Sequence, residues 1–274
     1  MEERIVARGP ARIGYLATGE GPAVLLLASL GRGANDFAEV APLVAAAGFR
    51  VLCPDPRGIG RSTGPMAGLT LYDLAEDAAA VLEAEGTGHA IVVGHAFGNW
   101  VARALSATRP ALVRGVALLA ASVTTNLDPA IRASIDGSFD PALSAAERLG
   151  HLQRGYFAPG HDASVWLSGW HPPVARMQRA ATAATDQRWR RVADRHRTLY
   201  VAAAADAIAP VPSLEQLQEA LGHRVTLTII ADAGHALLPE QPAPTAAALV
   251  GFARKLQPGG ESGPCPGPAC MPGA

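Results

Sequence analysis

Apolar residues follow two alternating rhythms along this chain. Apolar runs at Ala23 to Ala28 and Ile91 to Val93, and apolar-rich stretches at Arg50 to Cys53, Val113 to Ala120, Leu199 to Ala204 and Val225 to Ile230, predict strands, most of them buried on both faces. Between them, apolar positions recur at helical spacing. Phe37, Val40, Leu43, Val44 and Ala47 predict a helix capped by Asn35, and further helices are predicted at Thr70 to Glu85, from Val101, at Ser213 to Leu221 and at Ala243 to Leu256. Thr70 with Asp73 three residues on has the form of a capping box, which fixes the start of its helix. Weak alternation in Arg4 to Arg8 and Arg12 to Thr18, separated by Gly9-Pro10, predicts an opening hairpin. Strands alternating with helices, and apolar on both faces, imply a mainly parallel sheet covered on two sides.

The alternation stops after Ala121. Residues 124–192 carry helical stretches without strand runs, together with Tyr156, Phe157, Trp166, Trp170, His171 and Trp189, and are expected to form an inserted helical lid. The organisation expected is a core of residues 1–123 and 193–257, the 124–192 lid, and a tail at 258–274 whose five Pro and five Gly predict disorder rather than a packed element.

Composition narrows the partners. The chain has 274 residues, 49% hydrophobic and 17% charged, with a formal net charge of −1. It can bury a full core, and it lacks the basic stripe that nucleic acid or an anionic membrane would demand. No apolar span is long enough to cross a bilayer, and Met1-Glu2-Glu3-Arg4 does not begin like a signal peptide, so a cytoplasmic protein acting on a small molecule is expected. Cys53 ends an apolar run and is expected in the core, while Cys265 and Cys270 lie in the tail. No paired metal motif or phosphate loop occurs, so neither a metal nor a cofactor is expected. Oligomeric state is not readable.

The chemistry gathers at Gly94-His95-Ala96-Phe97-Gly98, between a predicted strand and a predicted helix. Two glycines flanking one small residue are what a sharp strand-to-helix turn needs, because larger side chains would collide with the elements it joins. Asp206, in Ala204-Ala205-Asp206-Ala207-Ile208, and His235, in Ala233-Gly234-His235, each follow a later predicted strand. Taken alone, Asp206 is an ordinary turn residue and His235 an ordinary loop histidine. With the glycine-flanked turn and the loop Pro54-Asp55-Pro56-Arg57-Gly58-Ile59-Gly60-Arg61-Ser62, the layout over residues 4–257 resembles the α/β-hydrolase fold.

The resemblance implies a mainly parallel central sheet flanked by helices with an inserted lid, and it makes His235 the general base, Asp206 its orienter and Ala96 the nucleophile position. It implies an oxyanion hole from the amides of Phe97 and Leu30, although the loop here reads Ala28-Ser29-Leu30-Gly31 where the family usually has His-Gly. Ser29 belongs near the mouth of such a site as a candidate substrate-binding residue, although its plain reading is a loop serine, and Tyr156, Trp166, Trp170 and His171 are candidate substrate-binding walls on the lid. His95 is expected to pack beneath the turn, and Arg57 and Arg61 to brace the site from below.

Ala96 carries no hydroxyl, thiol or carboxylate, so the frame of an acyl-transfer site lacks the attacking atom. Three readings stay open. Alanine replaces the serine of a hydrolase of a small apolar ester, lactone or related carbonyl compound; the His235–Asp206 dyad acts on water or a substrate proton without a cofactor; or the protein binds a small molecule without chemistry. The plain start, the lack of an affinity tag and the untrimmed tail favour a native alanine as the expectation. A Rossmann dehydrogenase is the poorer rival, because Gly31-Arg32-Gly33 has Asp36 where a third glycine should stand and Asp55 lies between two prolines.

Overall fold

A computed structural model describes residues 1–123 and 127–257. The expectation of an unpacked tail, and with it Cys265 and Cys270, lies outside the described residues. The chain opens with β1 (Glu2–Arg8) and β2 (Ala11–Thr18), followed by β3 (Ala23–Leu27), α1 (Val40–Ala46), β4 (Arg50–Pro54), α2 (Leu71–Glu85), β5 (Ala90–His95), α3 (Gly98–Thr108) and β6 (Val113–Leu119). Then come α4 (Pro129–Gly137), α5 (Ala145–Gly155) and α6 (Pro172–Ala183), before β7 (Thr198–Ala203), α7 (Leu214–Leu221), β8 (Val225–Ile230), α8 (Leu237–Glu240) and α9 (Pro242–Lys255).

The strands form one sheet in the order β1-β2-β4-β3-β5-β6-β7-β8. β1 pairs antiparallel with β2 and β2 antiparallel with β4, whereas every pairing from β4 to β8 is parallel. The two-residue period of β5 divides its side chains between the two faces. Ala90 and Val92 join one apolar layer with α2 and α3, and Ile91 and Val93 join the other with α1 and α9. A strand walled on both sides has no reason to alternate apolar with polar, which is why these strands are legible as unbroken apolar runs. Cys53 lies fully inside the second layer.

Local chemistry sets the helix ends. In α2, Thr70 Oγ1 accepts the Asp73 amide at 3.3 Å and Asp73 Oδ2 accepts the Thr70 amide at 2.9 Å, the reciprocal pair expected of a capping box. The helix expected from Asn35 forms differently: residues Ala34–Phe37 wind a short 3₁₀ turn and α1 starts only at Val40, without a side-chain cap. Asp55 Oδ1 takes the Ala34 amide at 2.7 Å, and Asp36 is drawn into an ion pair with buried Arg32 at 2.7 Å, so this stretch is organised by the loop behind it.

The carboxyl ends of the parallel strands lie along one edge of the sheet, and the loops after β3, β5, β7 and β8 all leave from it. Residues 127–197 run between β6 and β7 as α4, α5, α6 and short turns. They supply an apolar cluster of their own that includes Leu152, Tyr156, Phe157 and Trp166 and takes in Ile208 and Ala236 from the core. Arg57 braces the loop after β4 as anticipated, gripping Asp77 of α2 through two hydrogen bonds of 2.7 and 2.8 Å, both partners buried. Arg61 does less, since it meets Glu3 only at an exposed 3.5 Å contact.

Candidate active site

The turn after β5 is built by close backbone approach. A methyl group at Gly94 would stand 2.3 Å from the Gly98 carbonyl oxygen, and one at Gly98 would stand 2.2 Å from the Leu27 carbonyl oxygen, so neither position admits a side chain. Between them Ala96 adopts φ +46°, the left-handed region that disfavours any residue with a Cβ. Its amide donates to the Leu119 carbonyl at 2.9 Å, and its carbonyl accepts from the Asn99 amide at 3.1 Å and from the Asn99 side chain. Those bonds hold a strained residue at the head of α3.

Beside Ala96 the structure brings His235 and Asp206 together. His235 Nδ1 lies 2.9 Å from Asp206 Oδ2 and 3.1 Å from Oδ1, with both residues buried. Asp206 Oδ1 also accepts the amides of Ile208 and Ala209, each at 2.8 Å, which aims the carboxylate at the ring. A carboxylate accepts hydrogen bonds, so the proton on the imidazole sits at Nδ1 and the lone pair at Nε2. His95 is wholly buried beneath the turn and donates from Nε2 to the His235 carbonyl at 2.8 Å. Burial, helped by the neighbouring His235, pushes its pKa down to about 3, so it stays neutral and acts as a strut.

Ala96, His235, Phe97, Leu30, Ser29 and Tyr156 share one pocket of about 280 Å³. Its remaining walls are largely apolar and include Trp100, Ile135 and Ile208, with Arg132 and Arg179 reaching it from α4 and α6. Among the described residues the amides of Phe97 and Leu30 donate to no acceptor, so both are available to a ligand. The Leu30 loop is pinned by its neighbour: Gly31 donates to buried Gln178 of α6 at 2.7 Å and accepts from the His171 amide at 2.8 Å. Ser29 is buried at the pocket wall, and no hydrogen bond among the described residues links its hydroxyl to His235.

Trp166, Trp170 and His171 take other places. Trp166 and Trp170, set at 86° to each other, form a corner that holds the Arg32 guanidinium, its central carbon 4.3 and 4.6 Å from their ring centres, and both stand behind Tyr156 rather than on the pocket surface. Trp166 and His171 line a separate cavity of about 510 Å³ beside Asp36 and Asp55. Of these aromatic residues Tyr156 alone lines the pocket at Ala96, while Trp166 and Trp170 join the helical segment to Arg32 in the loop after β3.

Glu240 is the residue that sequence reasoning missed. From the short α8 its Oε1 accepts the Ala158 amide at 2.6 Å and its Oε2 the Gly234 amide at 2.8 Å, tying the helical segment to the residue before His235. Burial raises its pKa above 4.5. The motif Leu-Leu-Pro-Glu carries no periodic signal that would have exposed this role. Among the described residues no group of three His, Cys, Asp or Glu side chains could hold a metal, and no helix is long and apolar enough to cross a membrane.

The model for the alpha/beta hydrolase fold family matches residues 22–242. The chain belongs to that family. Epoxide hydrolase A of Mycobacterium tuberculosis is 26% identical over 93% of this chain and 98% of its own length. RutD of Variovorax paradoxus, named as a carbamate hydrolase, is 37% identical over 36% of this chain, a match that spans 38% of that relative's length. Among solved structures, a hydrolase from Pseudomonas aeruginosa has a TM-score of 0.73 at 23% identity, covering 92% of this chain and 98% of the other. A meta-cleavage product hydrolase from Pseudomonas fluorescens has a TM-score of 0.75 at 20% identity, covering 93% and 98%. At those identities the structural matches speak for the fold.

Proposed function

We infer that this α/β-hydrolase-family protein hydrolyses a small carbonyl compound, an ester, lactone or carbamate, by delivering water directly and without an acyl-enzyme. One observation carries the reading: an imidazole with Nδ1 held by a buried carboxylate opens onto the same pocket as a turn whose tip is a methyl group. Hydrolase names among the relatives, the carbamate hydrolase included, agree with the chemistry.

The steps follow from the groups present. His235 Nε2 takes a proton from water as the water oxygen bonds to the carbonyl carbon, and Asp206 stabilises the imidazolium that forms. Negative charge developing on the carbonyl oxygen is met by the Phe97 and Leu30 amides, which cost no reorganisation because the backbone already fixes them. As the tetrahedral species collapses, the imidazolium returns its proton to the leaving oxygen or nitrogen and the bond to the leaving group breaks. The Ala96 methyl leaves beside the carbonyl the volume that a nucleophilic side chain would occupy, and water can take it.

The test compares the parent with His235→Ala and Ala96→Ser on short methyl esters, lactones and carbamates. The parent should turn over at least one class, and His235→Ala should lower kcat by about 10²-fold to 10⁴-fold, the usual contribution of a general base. A parent inert on all three classes, with Ala96→Ser active on esters, would overturn the water mechanism and leave a serine hydrolase that has lost its nucleophile. Inertness in both would leave a binding protein.

A further inference from the structure

The pocket carries a charge asymmetry that an apolar ester does not need. Of the residues lining it, Arg132 and Arg179 alone bear full charges, and both are positive. They come from different helices of the segment between β6 and β7, Arg132 from α4 and Arg179 from α6, and meet at one cavity only because those helices fold together. Arg179 is engaged, with Nη2 at 2.5 Å from Asp136 Oδ1 and its guanidinium 5.7 Å from the Phe139 ring. Arg132 has no ion-pair partner among the described residues. Two guanidiniums against one carboxylate leave a positive charge uncompensated at the rim of a largely apolar cavity.

We propose that the substrate of this pocket carries a carboxylate, which Arg132 binds with support from Arg179 while the scissile carbonyl lies over Ala96; the proposal rests on the hydrolytic reading above. A guanidinium presents parallel N–H donors that match the two oxygens of a carboxylate, so it holds an anion and sets its direction together. A bound ligand expels water from the apolar wall formed by Trp100, Ile135 and Ile208, and the attraction strengthens as the local dielectric falls. The cavity, about 280 Å³, is just below the usual size range for small-molecule sites, about 300–1,000 Å³, so the anionic group and the reacting carbonyl belong to one compact molecule. His235 gains from this arrangement: an anchor on the helical side fixes the carbonyl against the Phe97 and Leu30 amides, and binding energy from a non-reacting group is converted into orientation.

The experiment pairs monomethyl succinate with methyl isocaproate, in which an isopropyl group of the same shape replaces the carboxylate. With ester cleavage followed by pH-stat, the ratio of kcat/KM values should favour monomethyl succinate by about 10-fold to 100-fold, the worth of one charge-assisted hydrogen-bonded contact. That ratio should fall towards unity in the double variant Arg132→Gln/Arg179→Gln, be partly retained in Arg132→Lys, and decline with added salt because the rim is wet. Turnover of both esters at equal kcat/KM, or a ratio the double variant does not move, would overturn the proposal while leaving the hydrolytic reading intact. If neither ester is cleaved, thermal melting with succinate, and with succinamide as the neutral control, decides it. A rise in Tm with succinate in the parent that is absent in the double variant upholds the carboxylate site without the chemistry, and no rise in either rejects it.

Discussion

The two halves of the pocket are built by opposite means. On the sheet side, Ala96, Phe97 and Leu30 stand where backbone atoms approach backbone atoms, and Gly94 and Gly98 leave no room for a methyl group. On the helical side, Arg132, Ile135 and Arg179 project from α4 and α6, and both arginines are largely exposed. Geometry set by backbone contact cannot adjust, whereas long side chains on solvated helices can change without disturbing the fold. The contrast separates two duties: the rigid half suits groups that must meet a developing charge within a few tenths of an ångström, and the adaptable half suits choosing which molecule arrives.

Substitutions can break this comparison at several strengths. Gly98→Ala should cost about 3 kcal/mol or more, or prevent folding, because the added methyl would overlap the Leu27 carbonyl oxygen, and urea denaturation measures it. A cost below half that would mean that the turn can move and that the rigid half is less rigid than described.

Acid should act through His95. Its folded pKa, about 3, lies below the ordinary value of 6.5, so the stability it contributes is complete above pH 6.5 and is lost as pH falls towards 3. At pH 5 the loss amounts to about 2 kcal/mol, at 1.36 kcal/mol per unit of displaced pKa. Urea melts at pH 7 and pH 5 should show that part of the slope in the parent and lack it in His95→Asn. Equal slopes would show that His95 is not held neutral.

Glu240→Gln should destabilise by about 1–2 kcal/mol, since an amide oxygen can serve only one of the two backbone donors that the carboxylate bridges. Glu240 has its pKa raised in the fold by burial, so folding favours its protonated form, and the stability this adds is complete below 4.5 and lost as pH rises through the folded value. The gap between parent and variant should therefore narrow from pH 4 to pH 7. A gap that widens would reverse the assignment. The smallest effect should be Arg132→Gln, whose exposed position predicts a change in stability within about 0.5 kcal/mol. A larger loss in thermal melts would make Arg132 structural and weaken its role at the rim.

Much of the rigid half was legible beforehand for a physical reason. Gly94 answers a constraint a few residues long, since its neighbours are Gly98 and Asn99, and the capping box of Thr70 and Asp73 is closed within one turn, whereas Gly98 also answers the carbonyl of Leu27 on β3. Asp206 and His235 were legible through their places after strands, given the order of the motifs. The second half was not. Arg132 and Arg179 have the spacing of any solvated helix face, and Trp166, Trp170 and His171 drew attention by residue type although Arg32, a distant loop residue, is what the two tryptophans clasp. Asn35 does not cap α1, which starts only at Val40, and the stretch around it is held from outside by Asp55 on the Ala34 amide and by Arg32 on Asp36.

The chain by itself determined the sheet class and the sharp turn at Ala96, whose side chain is a methyl group, because each depends on residue type and short-range sterics. Tertiary structure alone decided that His235 and Asp206 meet at 2.9 Å, that Glu240 ties the loop of His235 to the helical segment, and that two arginines from separate helices reach one cavity. Those relations join residues far apart in the chain, where no spacing rule applies, and they exist only once burial of the two apolar layers has brought the elements together.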